Sequence, residues 1–179
     1  MLVLASRSPR RRAILEQLGI PFLAVASDVE ELVEGRPAEL VVENALRKAR
    51  AVEGDPVLGV DTEVVAGERV YGKPGDAAEA RAMLQRLAGR EHEVMSGVAL
   101  CAGGVERTAL AVTRVRFREL DDATIDWYIG QEEWADAAGG YQIQGRGAAL
   151  VEGIEGDYLN VVGLPLATLL ALAPDLLGL

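Results

Sequence analysis

Several short stretches of this chain gather residue types that can hold an anion and a cation side by side. The first is Ser6-Arg7-Ser8-Pro9-Arg10-Arg11-Arg12, with two hydroxyls and four guanidinium groups. The apolar run Leu2–Ala5 before it is short enough for a buried strand. Ser8 then suits a helix N-cap and Pro9 the first helical position, where a missing N–H costs nothing. A strand feeding directly into a helix start leaves backbone N–H groups and the positive end of the helix dipole at one spot. Arginine is electrostatically disfavoured there, so three in a row want an anionic partner. The stretch reads as a phosphate cradle. The alternative, a merely solvated basic face, sits poorly with a chain of net charge −10.

Three other stretches supply complementary chemistry. Ser27-Asp28-Val29-Glu30-Glu31 is an acidic loop able to hold a divalent cation, although such loops are more often just solvated. In Val57-Leu58-Gly59-Val60-Asp61-Thr62-Glu63-Val64-Val65 an apolar strand is interrupted by Asp-Thr. A carboxylate inside such a strand costs several kcal/mol unless it is paired or binds metal, and ligand sites of α/β proteins collect at strand ends. Tyr71-Gly72-Lys73-Pro74 is a tight turn presenting one lysine. It is not a P-loop, because no G-x-x-x-x-G-K-[ST] occurs in the chain. Asp strand and lysine turn together suit a site for metal and phosphates.

The elements that must position these residues follow from periodicity and punctuation. A helix from Pro9 carries Ile14, Leu15 and Leu18 on one stripe and stops at Gly19. A second strand is expected over Pro21–Val25, and a strong helix over Pro37–Glu53 with Leu40, Val41, Ala45, Leu46 and Ala49 as its apolar face. Lys48 lies close to that face, and we expect it to snorkel to water. Asp76 and Glu79 cap a third helix that ends at Gly89. His92–Ala102 reads as a strand, turning at Gly103-Gly104 into a long return strand through Val112, Val115 and Phe117. Asp121–Ile129 reads as a short helix. The glycine-rich block Gly139–Gly147 predicts close backbone approach to a ligand or another strand, and an apolar helix closes the chain. His92 and Cys101 are read as structural. This alternation predicts an α/β fold with a mixed β-sheet and flanking helices.

Composition removes other classes. The acidic balance argues against a nucleic-acid partner, which needs broad positive surface, and 4% aromatic residues leave little for base stacking. One cysteine and one histidine exclude an internal disulfide and nearly exclude a structural zinc site. There is no secretory leader pattern and no run near the ~20 apolar residues of a membrane span. The expectation is a cytoplasmic protein with no membrane partner.

The ordered set of motifs resembles the Maf family of nucleoside triphosphate pyrophosphatases. The matching residues are S-R-S-P-R-R at 6–11, V-E-E at 29–31, L-R-K-A at 46–49, G-V-D-T at 59–62, G-K-P at 72–74, H-E-V-M-S-G-V at 92–98, Y-Q-I-Q-G at 141–145 and G-D-Y-L-N-V-V-G-L-P at 156–165. The resemblance implies a single domain over residues 1–179, similar to inosine triphosphate pyrophosphatases, with two lobes around a deep cleft. It implies hydrolysis of a nucleoside triphosphate to the monophosphate and pyrophosphate with Mg2+ or Mn2+, and a homodimer. The family's catalytic aspartate falls on Asp61, as general base or as metal ligand. Its phosphate-site residues fall on Ser6, Arg11, Lys48 and Lys73, and its metal-site carboxylates on Glu30 and Asp61. Positions that separate substrate subgroups fall on Arg10, Thr62 and Gln144, and the trio resembles the subgroup acting on dTTP and UTP. Two residues depart from the pattern. Ala137 stands where the family has a lysine, and Glu63 where it has a small apolar residue.

The side-chain chemistry agrees with that subgroup. Gln144 offers one donor and one acceptor, matching the O4 and N3–H edge of uracil or thymine, although an amide can turn over and glutamine alone would also suit cytosine. Arg10 can only donate, which favours a ring edge rich in carbonyl oxygens. The competing reading is an interaction protein of septum formation, which would need no site collecting Asp61, Lys73 and the serine–arginine cradle. Turnover of UTP with magnesium separates the two.

Overall fold

The computed structural model describes residues 1–177. The first strand, β1 (Leu2–Ala5), is followed by α1 (Pro9–Gln17), β2 (Phe22–Val25) and α2 (Pro37–Arg50). Then come β3 (Val57–Ala66), β4 (Arg69–Tyr71), α3 (Ala77–Leu87), β5 (Glu91–Ala102) and β6 (Val105–Phe117). The chain closes with α4 (Asp122–Ile129), β7 (Val151–Glu155), α5 (Tyr158–Val162) and α6 (Leu166–Leu172). The strands form one mixed sheet in the order β2-β1-β3-β5-β6-β7, with β4 added on β3. The α/β class and the mixed sheet with flanking helices are as the sequence predicts. No helix among the described residues is long and apolar enough to cross a membrane.

The chain divides into two compact units, 1–62 with 95–111 and 163–179, and 63–94 with 112–162. In the first, β1 runs parallel to both β2 and β3, with Leu4 opposite Ala24 on one side and Leu58 on the other. Parallel pairing on both sides buries β1 completely, which is why Leu2–Ala5 is an unbroken apolar run. Val3, Ala5, Ala45, Ala49, Val57 and Ala99 make one of its cores, with Cys101 packed at the margin. Ser8 caps α1 by accepting from the Arg11 backbone N–H, with Pro9 in the first turn. Helix α2 stops at Arg50, short of the expected Glu53, because the chain turns after Ala51 through Gly54 at φ 151°.

In the second unit, β4 pairs antiparallel with β3 and β7 with β6. Asp76 caps α3 by accepting from Glu79 N, and Glu79 accepts in turn from Gly75 N. Gly139, at φ 69°, backs onto Val64 of β3, so the glycine-rich block approaches a strand there. His92, Phe117 and Tyr141 form an edge-to-face triad with ring centroids 4.8–5.5 Å apart.

His92 is 2% exposed and shares a 2.8 Å hydrogen bond with the Tyr141 hydroxyl. Burial disfavours the charged ring and pushes its pKa down from 6.5 to about 4. Between those values the unfolded chain binds a proton that the folded chain refuses, so stability falls as pH drops through this window. The loss amounts to about 3 kcal/mol by pH 4. Urea unfolding of wild type and His92→Gln at pH 7 and pH 4 checks it. The wild type should lose about that much more than the variant, and equal losses would show that His92 is not the source.

Candidate active site

The site in the first unit begins with two glycines. Gly59 of β3 faces the Ala45 carbonyl and Gly97 of β5 faces the Val41 carbonyl, so closely that a methyl group at either would collide with the α2 backbone. Helix α2 therefore lies directly on the strands. Asn44 and Lys48 are one turn apart on it, hence on one face, and both reach Asp61 of β3. The Asp61 Oδ1 stands 2.6 Å from Lys48 Nζ, and Oδ2 accepts from Asn44 Nδ2 at 3.3 Å. Lys48 Nζ is also 2.6 Å from Glu31 Oε1. Asp61 is 4% and Lys48 9% exposed.

Lys48 thus does not snorkel. The close approach of α2 and the carboxylate on β3 turn it inward, where its charge is shared between two acidic groups. Isolated, that ammonium would be costly to bury; paired on both sides it is compensated.

The neighbouring strand residue, Thr62, anchors a second cluster, as expected for adjacent residues that face opposite sides of a strand. Arg11 is 9% exposed. It donates through Nε to the Gly163 carbonyl at 2.8 Å, through Nη1 to Ser6 Oγ at 3.0 Å and through Nη2 to Thr62 Oγ1 at 3.1 Å. Thr62 Oγ1 and Ser96 Oγ share a 2.8 Å hydrogen bond. Ser6 Oγ also accepts from Ser8 N. The planar guanidinium fork uses all its edges, so Arg11 is locked in place beside the N-terminus of α1.

Of the residues singled out in the sequence, Lys48 and Asp61 are thus brought together by α2 and β3, and Ser6, Arg11 and Thr62 by β1, α1 and the next residue of β3. Arg10 is half-buried in the first turn of α1. Glu30 is exposed, and its carbonyl accepts from Arg47 at 2.9 Å. Its neighbour Glu31 is the acidic-loop carboxylate that reaches Lys48. In the second unit Lys73 is exposed and ion-paired with Asp136. Gln144 is exposed and donates to Gln142 Oε1 at 3.1 Å. Ala137, where the resembled family has lysine, is 3% exposed. Glu63 places its carboxylate against Gly72, in the turn carrying Lys73.

Asn44 went unnoticed in the sequence, and Glu31 and Ser96 were named there only as parts of longer stretches. Glu31 was hidden by its twin Glu30. Asn44 had a signal, a polar residue on the apolar stripe of α2, four positions before Lys48. Ser96 had none beyond its place in an apolar strand.

The donor set bears on the metal. No group of three or more His, Cys, Asp or Glu side chains among the described residues can hold an ion. Two carboxylates, Asp61 and Glu31, do converge on one cationic point, the Lys48 ammonium. Magnesium is typically held by one or two carboxylates with substrate phosphates completing its shell, so this pair fits such an ion better than an all-protein cage.

Residues 1–176 match the family described as Maf-like protein, and the chain belongs to that family. Among named relatives it is 53% identical over 171 residues to the dTTP/UTP pyrophosphatase of Symbiobacterium thermophilum, covering 92% of this chain and 88% of that one. It is 51% identical over 177 residues to the dTTP/UTP pyrophosphatase of Anaeromyxobacter dehalogenans, covering 96% and 91%. The protein of the same name from Pyrococcus furiosus is 45% identical over 177 residues, covering 96% and 93%.

Proposed function

We propose that this chain is a nucleoside triphosphate pyrophosphatase that hydrolyses dTTP and UTP to the monophosphate and pyrophosphate. The observation that carries the chemistry is Lys48 Nζ at 2.6 Å from both Asp61 and Glu31, on the same short segment of β3 that holds Arg11 through Thr62. The substrate class rests on relatives of that name at about half identity over nearly the full length. The resemblance in the motifs adds Lys73 for the phosphates and Arg10 and Gln144 for the base.

Phosphoryl chemistry is mostly positioning and neutralisation of charge. Arg11, fixed by Ser6, Thr62 and Gly163, presents a pre-set positive charge at the N-terminus of α1, where backbone N–H groups also favour an anion. Lys48 holds the carboxylates of Asp61 and Glu31 in register and neutralises the phosphate oxygens that approach them. Asp61 orients the attacking water and accepts its proton as attack at the α-phosphorus proceeds. Asp61 and Glu31 are the groups that would hold a divalent ion, with Glu30 next on the same loop. When bound, such an ion acidifies the water and screens the phosphates.

Turnover of a panel of nucleoside triphosphates with magnesium tests the assignment. UTP and dTTP should exceed CTP, ATP and GTP in kcat/KM by about tenfold or more, and equal use of all five would overturn the substrate assignment. Gln144→Glu sharpens it. A carboxylate still accepts from N3–H, but it loses the donor facing O4 and sets a negative charge against that oxygen. Cytosine presents an amino donor there. A mispaired polar group costs about 1–3 kcal/mol, so the UTP-to-CTP ratio of kcat/KM should fall ~10-fold or more. An unchanged ratio with uniformly lower activity would mean that Gln144 braces its loop and does not read the base.

A further inference from the structure

The geometry points to Asn44 as a positioning residue that fixes the acidic loop and Asp61 relative to each other, setting the affinity for the divalent ion. The inference rests on the proposed function. Asn44 is 2% exposed on the apolar face of α2, where an amide is costly unless its hydrogen bonds are made. All of them go to this site. Its Oδ1 accepts from Leu32 N at 2.8 Å, and its Nδ2 donates to the Leu32 carbonyl at 3.0 Å and to Asp61 Oδ2 at 3.3 Å.

One side chain therefore clasps both backbone polar groups of Leu32 in the way a neighbouring strand would. Residues 26–33 carry neither helix nor strand, so their placement depends on such side-chain ties. Leu32 directly follows Glu31, whose carboxylate meets Lys48, and Lys48 stands one turn along α2 from Asn44. Asn44 also occupies Asp61 Oδ2, leaving Oδ1 as the oxygen shared with Lys48. The two carboxylates able to hold the ion are thus set by a common amide. Outer residues that orient metal ligands are typically worth 10–100-fold in metal affinity or activity.

Asn44→Leu keeps the branched shape of the side chain and removes all three bonds. The test measures the magnesium concentration giving half-maximal UTP turnover, and KM for UTP at saturating magnesium. It also measures binding of manganous ion by electron paramagnetic resonance in the presence of α,β-methylene-UTP, which cannot be cleaved at its carbon bridge. Both metal constants should rise about tenfold or more, KM for UTP should change less than ~3-fold, and the Leu32 amide should exchange faster. Loss of folded protein alone would lower the rate without moving any of these constants. A folded variant with wild-type metal constants overturns the inference. Asn44→Ala, which cannot overpack, carries the same test if the leucine variant fails to fold, and failure of both to fold would assign Asn44 to stability alone. Wild-type protein that neither turns over UTP nor binds the manganous complex overturns the reading of the whole site. Normal wild-type behaviour with an unaffected variant overturns only the role of Asn44.

Discussion

Asp61→Asn is expected to lower UTP turnover by at least ~100-fold while leaving the protein folded, the range for losing an acid–base or charge-stabilising group. The substitution keeps size and removes the negative charge. Its folding consequence is small for a structural reason. Lys48 loses one anionic partner but keeps Glu31 at 2.6 Å, so no uncompensated ammonium is left buried. The asparagine can still accept from Asn44 and lie near Lys48. What is lost is a charge that can orient water, take its proton and share in holding a cation. Rates measured beside a circular dichroism melt check this. A folded variant with near wild-type turnover would remove Asp61 from the chemistry.

The second large effect is expected at the other end of the same contact. Lys48→Met removes the charge between Asp61 and Glu31 and leaves Asp61, 4% exposed, without its ammonium. Removing one partner of a buried pair costs about 3–5 kcal/mol, and losing the charge proposed to face the phosphates should cost a further ~100-fold in turnover. The two losses separate in the double variant Lys48→Met/Asp61→Leu. Replacing both partners with apolar groups is often neutral or stabilising, so the unfolding midpoint should return most of the way to wild type while activity stays absent. If the single variant melts like wild type, the pair contributes nothing to stability.

Much of the scaffold was legible because local rules and tertiary demand coincide. Ser8-Pro9 marks the start of α1, Asp76 and Glu79 the start of α3, and the unbroken apolar run of β1 its burial between two parallel strands. Asp61 was legible for the opposite reason, as a carboxylate that an apolar strand tolerates only with partners. The partners themselves were less so. Lys48 looked like an ordinary lysine beside an apolar stripe, since its inward course depends on how closely α2 approaches the strands at Gly59 and Gly97. That distance is a tertiary quantity. The choice of Glu31 over Glu30 is set by the path of a loop without helix or strand, tied down by Asn44 through Leu32. No periodicity records it. Thr62 appeared as a marker of substrate subgroup, and it is also the acceptor that fixes Arg11.

In the proposed reaction, water attacks the α-phosphorus of a pyrimidine triphosphate. Hydrolysis of UTP in 18O-labelled water with magnesium, followed by mass spectrometry of the products, tests it most directly. UMP and pyrophosphate are the expected products, with the heavy oxygen in UMP. Orthophosphate with UDP as the main products, or the label in pyrophosphate, would contradict it.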